Sequence, residues 1–75
     1  MLAVQCKMAR AALGLGIRDL AKLAQVAPAT VSRLEAGEEL KPRTVQAIQA
    51  ALEAAGVEFI TEDGRGVGVR LRSLT

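Results

Sequence analysis

The sequence contains no histidine, a single cysteine and a single aromatic residue, Phe59. Each scarcity closes off a class of function. With no histidine, and only Cys6 to supply sulfur, a zinc site is out. One cysteine allows no disulfide within the chain, which fits a reducing compartment such as the cytoplasm. No close carboxylate pair falls on one predicted face, and no glycine-rich phosphate loop is present. Gly64-Arg65-Gly66 is followed by no helix, so it reads as a turn and not as a dinucleotide fingerprint. Catalysis is therefore not expected, and neither is a cofactor. No stretch approaches the ~18 apolar residues that a membrane-spanning helix needs. The opening MLAVQCKMAR faintly resembles an export signal, but Lys7 and Arg10 interrupt it before an apolar run of ~7 residues forms.

What is present is apolar and small. Hydrophobic residues make up 51% of the 75, and with one aromatic the core falls to Leu, Val, Ile and Ala. A chain this short makes one domain. It buries only about 60% of the surface its unfolded form exposes, so little core is available. Ten basic against eight acidic side chains leave a formal charge of +2. That is a weak argument for a polyanionic partner, and the placement of the charges has to decide.

Residues 5–13 repeat small and apolar side chains on a helical period, and Gly14 suits the position past a helix end where positive φ is wanted. A second helix is expected over residues 17–24, with Leu20, Ala21 and either Leu23 or Ala24 facing inward. Pro28 suits the first turn of a third helix, which Gly37 stops. Pro42 opens a fourth and longest helix, with Thr44 as a candidate cap. Val45, Ile48, Ala51, Leu52 and Ala55 form one apolar stripe along it, and Gly56 ends it. The period then becomes two: Val57, Phe59, Val67, Val69 and Leu71 alternate with Glu58, Gly68 and Arg70. Residues 62–66 form the turn of this hairpin, and the tail after Leu71 is expected to fray. The fold class is thus mainly α, four helices and a C-terminal β-hairpin. Residues 1–56 form the helical part, and residues 57–75 the hairpin and tail of the same domain.

A lone hairpin is barely stable in water and needs cover. Two covers are open: its own helices, or a second copy pairing edge to edge to make a symmetric dimer. The dimer is the expectation, with Val57, Phe59, Val67, Val69 and Leu71 as its residues, because so small a domain owns little core.

Residues 17–35, IRDLAKLAQVAPATVSRLE, form the segment that carries function. Two short helices are joined by about three residues, Ala21 is small where they cross, and Leu20, Val26, Val31 and Leu34 make a shared seam. This is the spacing of a helix-turn-helix, in which the second helix is held out for the major groove of DNA. On Arg10, Leu13-Gly14-Leu15, Leu20-Ala21, Val31-Ser32-Arg33-Leu34-Glu35-Ala36-Gly37 and Pro42-Arg43, residues 5–56 resemble the Xre-like family, the repressors and Cro proteins of lambdoid phages. The hairpin stands where many members have a last helix, and resembles short one-domain regulators that end in a GVEFI-type strand. One departure lies in the turn. The family usually has glycine where this chain has Gln25, and a non-glycine residue at positive φ costs roughly 1 kcal/mol.

The resemblance implies a lambda-repressor-like bundle that binds double-stranded DNA. It makes the outer face of the third helix the reading face, with Arg33, Ala29, Thr30, Ser32 and Pro28 at the base edges. Arginine grips O6 and N7 of guanine through two parallel hydrogen bonds, and alanine touches a thymine methyl. The family often carries an amide at the position of Ala29; here Pro28 and Ala29 lack it, which shifts weight to Arg33 and to DNA shape. Phosphate contacts are expected at Ile17 and Arg18, where a helix N-terminus offers free N–H groups, and at Lys41 and Arg43. Glu38 and Glu39 are expected to point away from the duplex. Arg10 and Glu35 correspond to an internal salt bridge of the family, and Cys6 is read as a small apolar filler. Two functions remain. One is a sequence-specific regulator, a repressor by occupancy, acting as a homodimer on a palindromic operator. The other is an antitoxin or adaptor that keeps the fold but binds a partner protein such as a toxin.

Overall fold

The computed structural model describes residues 1–61 and 64–72. The predicted turn residues Glu62 and Asp63 and the tail residues 73–75 lie outside the described residues. Four helices precede two strands: α1 Ala3–Leu13, α2 Ile17–Ala24, α3 Pro28–Glu35, α4 Pro42–Ala54, β1 Val57–Ile60 and β2 Gly68–Leu71.

Helix α1 starts two residues before the predicted Gln5, because the Gln5 Oε1 accepts the Leu2 N–H at 2.8 Å and satisfies a donor of the first turn. It ends at Gly14, whose φ is 69°. The Leu15 N–H bonds Arg10 O and the Gly14 N–H bonds Ala11 O, the paired closure of a helix whose next residue is left-handed. Helix α3 closes the same way at Gly37, with the Glu38 N–H on Arg33 O and the Gly37 N–H on Leu34 O. Proline opens both α3 and α4, where a missing N–H costs nothing. Thr44 does not cap α4. Lys41 occupies the cap position, and its carbonyl accepts the N–H groups of Thr44 and Val45.

The core draws on every helix and one strand. Cys6, Ala9, Leu20, Val31, Ile48 and Leu52 are fully enclosed, with Ala21, Leu34 and Val57 beside them. The alanines Ala9 and Ala21 allow backbones to approach closely. Burying each Leu or Ile of this set contributes about 1.5–3 kcal/mol. On α2 the inward pair is Leu20 and Ala21 with Ala24 half-buried, while Leu23 is 54% exposed.

The strands pair antiparallel in the register Val57↔Leu71, Glu58↔Arg70, Phe59↔Val69 and Ile60↔Gly68. Val67 falls outside β2. The Arg72 N–H bonds Gly56 O at 2.8 Å, one rung beyond the first pair. That sets the phase of the ladder, so Val57 and Phe59 turn their backbone groups away from β2. The hairpin is covered by its own helices: β2 lies chiefly on α1, and β1 on α4 and α1. The Val57 side chain is buried inside the single chain, at 1% exposed, and is taken up by its own core. Phe59 and Val69 pack at the rim of the same core. This withdraws the Val57 side chain from the set expected to meet a second copy, because the chain's own helices cover it. Of that set, Leu71 alone is counted as exposed, at 53%.

Candidate nucleic-acid interface

Between α2 and α3 the chain turns at Gln25, whose φ of 58° and ψ of 45° are left-handed. It is the one non-glycine residue at positive φ among the described residues. The Val26 N–H bonds Ala21 O and the Gln25 N–H bonds Lys22 O. The turn therefore keeps the backbone that glycine would adopt and bears the local strain.

Helix α3 has eight residues, so it is too short to be stable alone and takes its position from its contacts. Val31 and Leu34 face the core, and Glu35 is buried beside them. Spacings of three and four residues put Ala29, Ser32, Arg33 and Ala36 on one outward stripe, and all four are exposed. Pro28 is exposed at the start of that stripe. Thr30 sits at its flank, half-buried, with its N–H on Ala27 O.

The inner end of α3 is held by a clasp from α1. Arg10 Nε meets Glu35 Oε2 at 2.8 Å and Arg10 Nη2 meets Oε1 at 2.9 Å, a two-point grip, while Nη1 donates to Leu15 O at 3.1 Å. The Cys6 thiol donates to Glu35 Oε2 at 3.2 Å. Hydrogen bonds from Arg10, more than burial opposes them, hold the Glu35 carboxyl below its ordinary range. Burial, reinforced by the Glu35 carboxylate, pushes the Cys6 thiol up to about 12, so the thiol keeps its proton and acts as a donor. Cys6 thus fills its place in the core, as expected, and in addition donates to the clasp. Among the described residues no buried side-chain nitrogen or oxygen lacks a partner.

The basic residues Arg18 and Lys22 on α2, and Lys41 and Arg43 at the start of α4, are exposed. The start of α2 is less bare than its sequence suggests. Asp19 Oδ2 accepts the Gly16 N–H at 2.8 Å, so a carboxylate already occupies the first turn. Ile17 is half-buried against the core, which leaves only its backbone N–H for an anion. Glu38 and Glu39 are exposed on the segment joining α3 to α4.

Gln5 is the residue that pattern reading passed over. It is 4% exposed, and its Nε2 donates to Ile60 O and Gly68 O, both at 3.0 Å. The available signal was a polar residue one turn before Ala9 on the inward side of α1.

A two-helix unit with its second helix seated by an apolar seam, and the outer side of that helix left free, is the architecture of a DNA-binding helix-turn-helix. The chain belongs to the helix-turn-helix domain family, whose model matches residues 2–59; such domains are typical of Xre-like and Cro-type DNA-binding proteins. That family is typically non-enzymatic. No curated protein matches the chain. Among the described residues, no helix is long and apolar enough to cross a membrane, and no group of three or more Cys, Asp or Glu side chains is placed to hold a metal ion.

Proposed function

We propose that this protein is a sequence-specific, double-stranded DNA-binding transcriptional regulator that acts in the cytoplasm as a homodimer and represses by occupying a palindromic operator. The observation that carries this is the division of α3, with Val31, Leu34 and Glu35 sequestered while Ala29, Ser32 and Arg33 stand free on one stripe. Arg33 is the principal base reader, on guanine. Ala29 and Pro28 meet apolar base edges, and Ser32 and Thr30 donate to a base or a phosphate. Lys41, Arg43, Arg18 and the Ile17 N–H take phosphates and set register. Residues 57–75 supply the dimer element. With the inner face of the hairpin occupied, the outer edge of β1 serves; an open furrow lined from both strands, by Glu58, Phe59, Arg70 and Arg72 with Glu53 of α4, lies over the hairpin. Two reading helices related by a two-fold axis suit half-sites about 34 Å apart, one turn of DNA.

The test is selection of bound duplexes from a random pool, followed by fluorescence anisotropy on the selected and a scrambled duplex at two salt concentrations. The selected site is expected to be palindromic. Arg33→Ala should weaken it by roughly 10-fold to 100-fold while leaving scrambled DNA nearly unaffected. No retention of duplex at low salt, or equal binding by Arg33→Ala, defeats the proposal and favours a protein partner.

A further inference from the structure

One helix holds both ends of the proposed machine. At its first turn α1 grips the hairpin through Gln5; one residue later, and again at Arg10, it grips the last residue of α3 through Glu35. The Gln5 amide is fully engaged. Its Oε1 accepts the Leu2 N–H, and its Nε2 donates to the carbonyls of Ile60 and Gly68. Those two residues face each other across the strands, so one side chain holds β1 and β2 at the same rung. The far end of the hairpin is tied to α4 by the Arg72 guanidinium on Glu53 O.

Burying a primary amide costs free energy unless every bond is made, and an apolar side chain would fill this place without that risk. What the amide supplies is direction. Apolar contact fixes which face of a strand is inward, and hydrogen bonds to one rung add a directional tie to one register. A strand that keeps its inner face inward can slip only by two residues, about 6.6 Å. Carried through a hairpin that joins two subunits, such a slip is worth about two base pairs of DNA rise.

We infer that Gln5 is a positioning residue that fixes the separation of the two reading helices, and with it the spacing between operator half-sites, by locking the Ile60–Gly68 rung to the helix that also seats α3. The inference rests on the dimeric DNA-binding function proposed above.

The experiment uses the full chain and its Gln5→Leu and Gln5→Met variants. Anisotropy is measured on duplexes in which two selected half-sites are moved apart one base pair at a time, and on a single half-site. Wild type should prefer one spacing by about tenfold over spacings two base pairs away. The variants should bind the single half-site within about twofold of wild type, but flatten the spacing preference to about threefold or less. Variants that keep the wild-type preference overturn the inference and leave the dimeric function standing. A wild type that binds paired and single half-sites alike overturns both. Loss of folding in both variants overturns the inference too, because Gln5 would then be a residue of stability and not of spacing.

Discussion

Replacing Glu35 by glutamine keeps its shape and removes its charge. In the native chain the carboxylate accepts two bonds from Arg10 and one from Cys6, with the Glu35 side chain 6% and the Arg10 side chain 23% exposed. Breaking a fully buried pair costs about 3–5 kcal/mol, and the partial exposure of Arg10 lowers this to about 2–3 kcal/mol. A domain this small has roughly 4–11 kcal/mol in all, so Glu35→Gln removes a large share. At about 4–8 °C per kcal/mol, the melting temperature should fall by roughly 10–20 °C. The loss should also depend on pH. The ordinary value for glutamate is 4.5, and the folded protein holds Glu35 below it. Between the two values the unfolded chain binds more protons, so stability rises with pH there. The gap between wild type and variant should therefore be full above about pH 4.5 and shrink as pH falls through the lowered folded value. Circular dichroism melts of both proteins across this range give the difference curve, in which the other carboxylates cancel. An Arg10→Met/Glu35→Leu double variant should be more stable than either single variant, since no lone charge stays behind. A variant melting within about 2 °C of wild type, or a gap independent of pH, would show that the clasp is ornamental.

Three further outcomes follow from the structure. Native protein at about pH 8 should resist alkylation at Cys6 until denaturant is added, and prompt native labelling would contradict the sequestered donor. Since the folded thiol sits at about 12 against an ordinary 9.0, stability should fall as pH climbs between those values, where the folded state binds the extra proton; alkaline melts of wild type against Cys6→Ala read this out. Gln25→Gly should stabilise the chain by up to about 0.5 kcal/mol, because relief of roughly 1 kcal/mol of left-handed strain exceeds the added freedom of glycine when unfolded. Chemical denaturation measures the change, and a lower midpoint for the glycine variant would refute the strain.

Much of the fold was legible because its signals are local. Proline at the start of α3 and α4, glycine past α1, α3 and α4, and the change from a helical to a two-residue period at Val57 each act within a few residues. The outward stripe of α3 was legible for the same reason, since a helix of known start assigns faces by counting. What escaped was set by distance along the chain. Gln5 meets Ile60 and Gly68 across 55 and 63 residues, and Cys6 meets Glu35 across 29. No period or propensity in a single sequence ties such positions together. The covering of the hairpin escaped likewise: alternation tells which side is apolar, but not whether helices or a second subunit will cover it.

If α3 reads DNA as proposed, residues remote from the duplex should govern recognition. Eight residues cannot hold their own helical axis against the solvent, and the turn before them is strained at Gln25. The angle of α3 is therefore set by Val31 and Leu34 in the seam and by Arg10 and Cys6 on Glu35, all on its inner side. A base-reading arginine contributes its roughly 1–3 kcal/mol only where its fork meets the base edge in register. Tilting α3 by loosening the clasp would move Arg33 out of that register without touching Arg33 itself. Under the proposed function, selectivity for an operator would thus depend on α1 as much as on the outward side chains of α3.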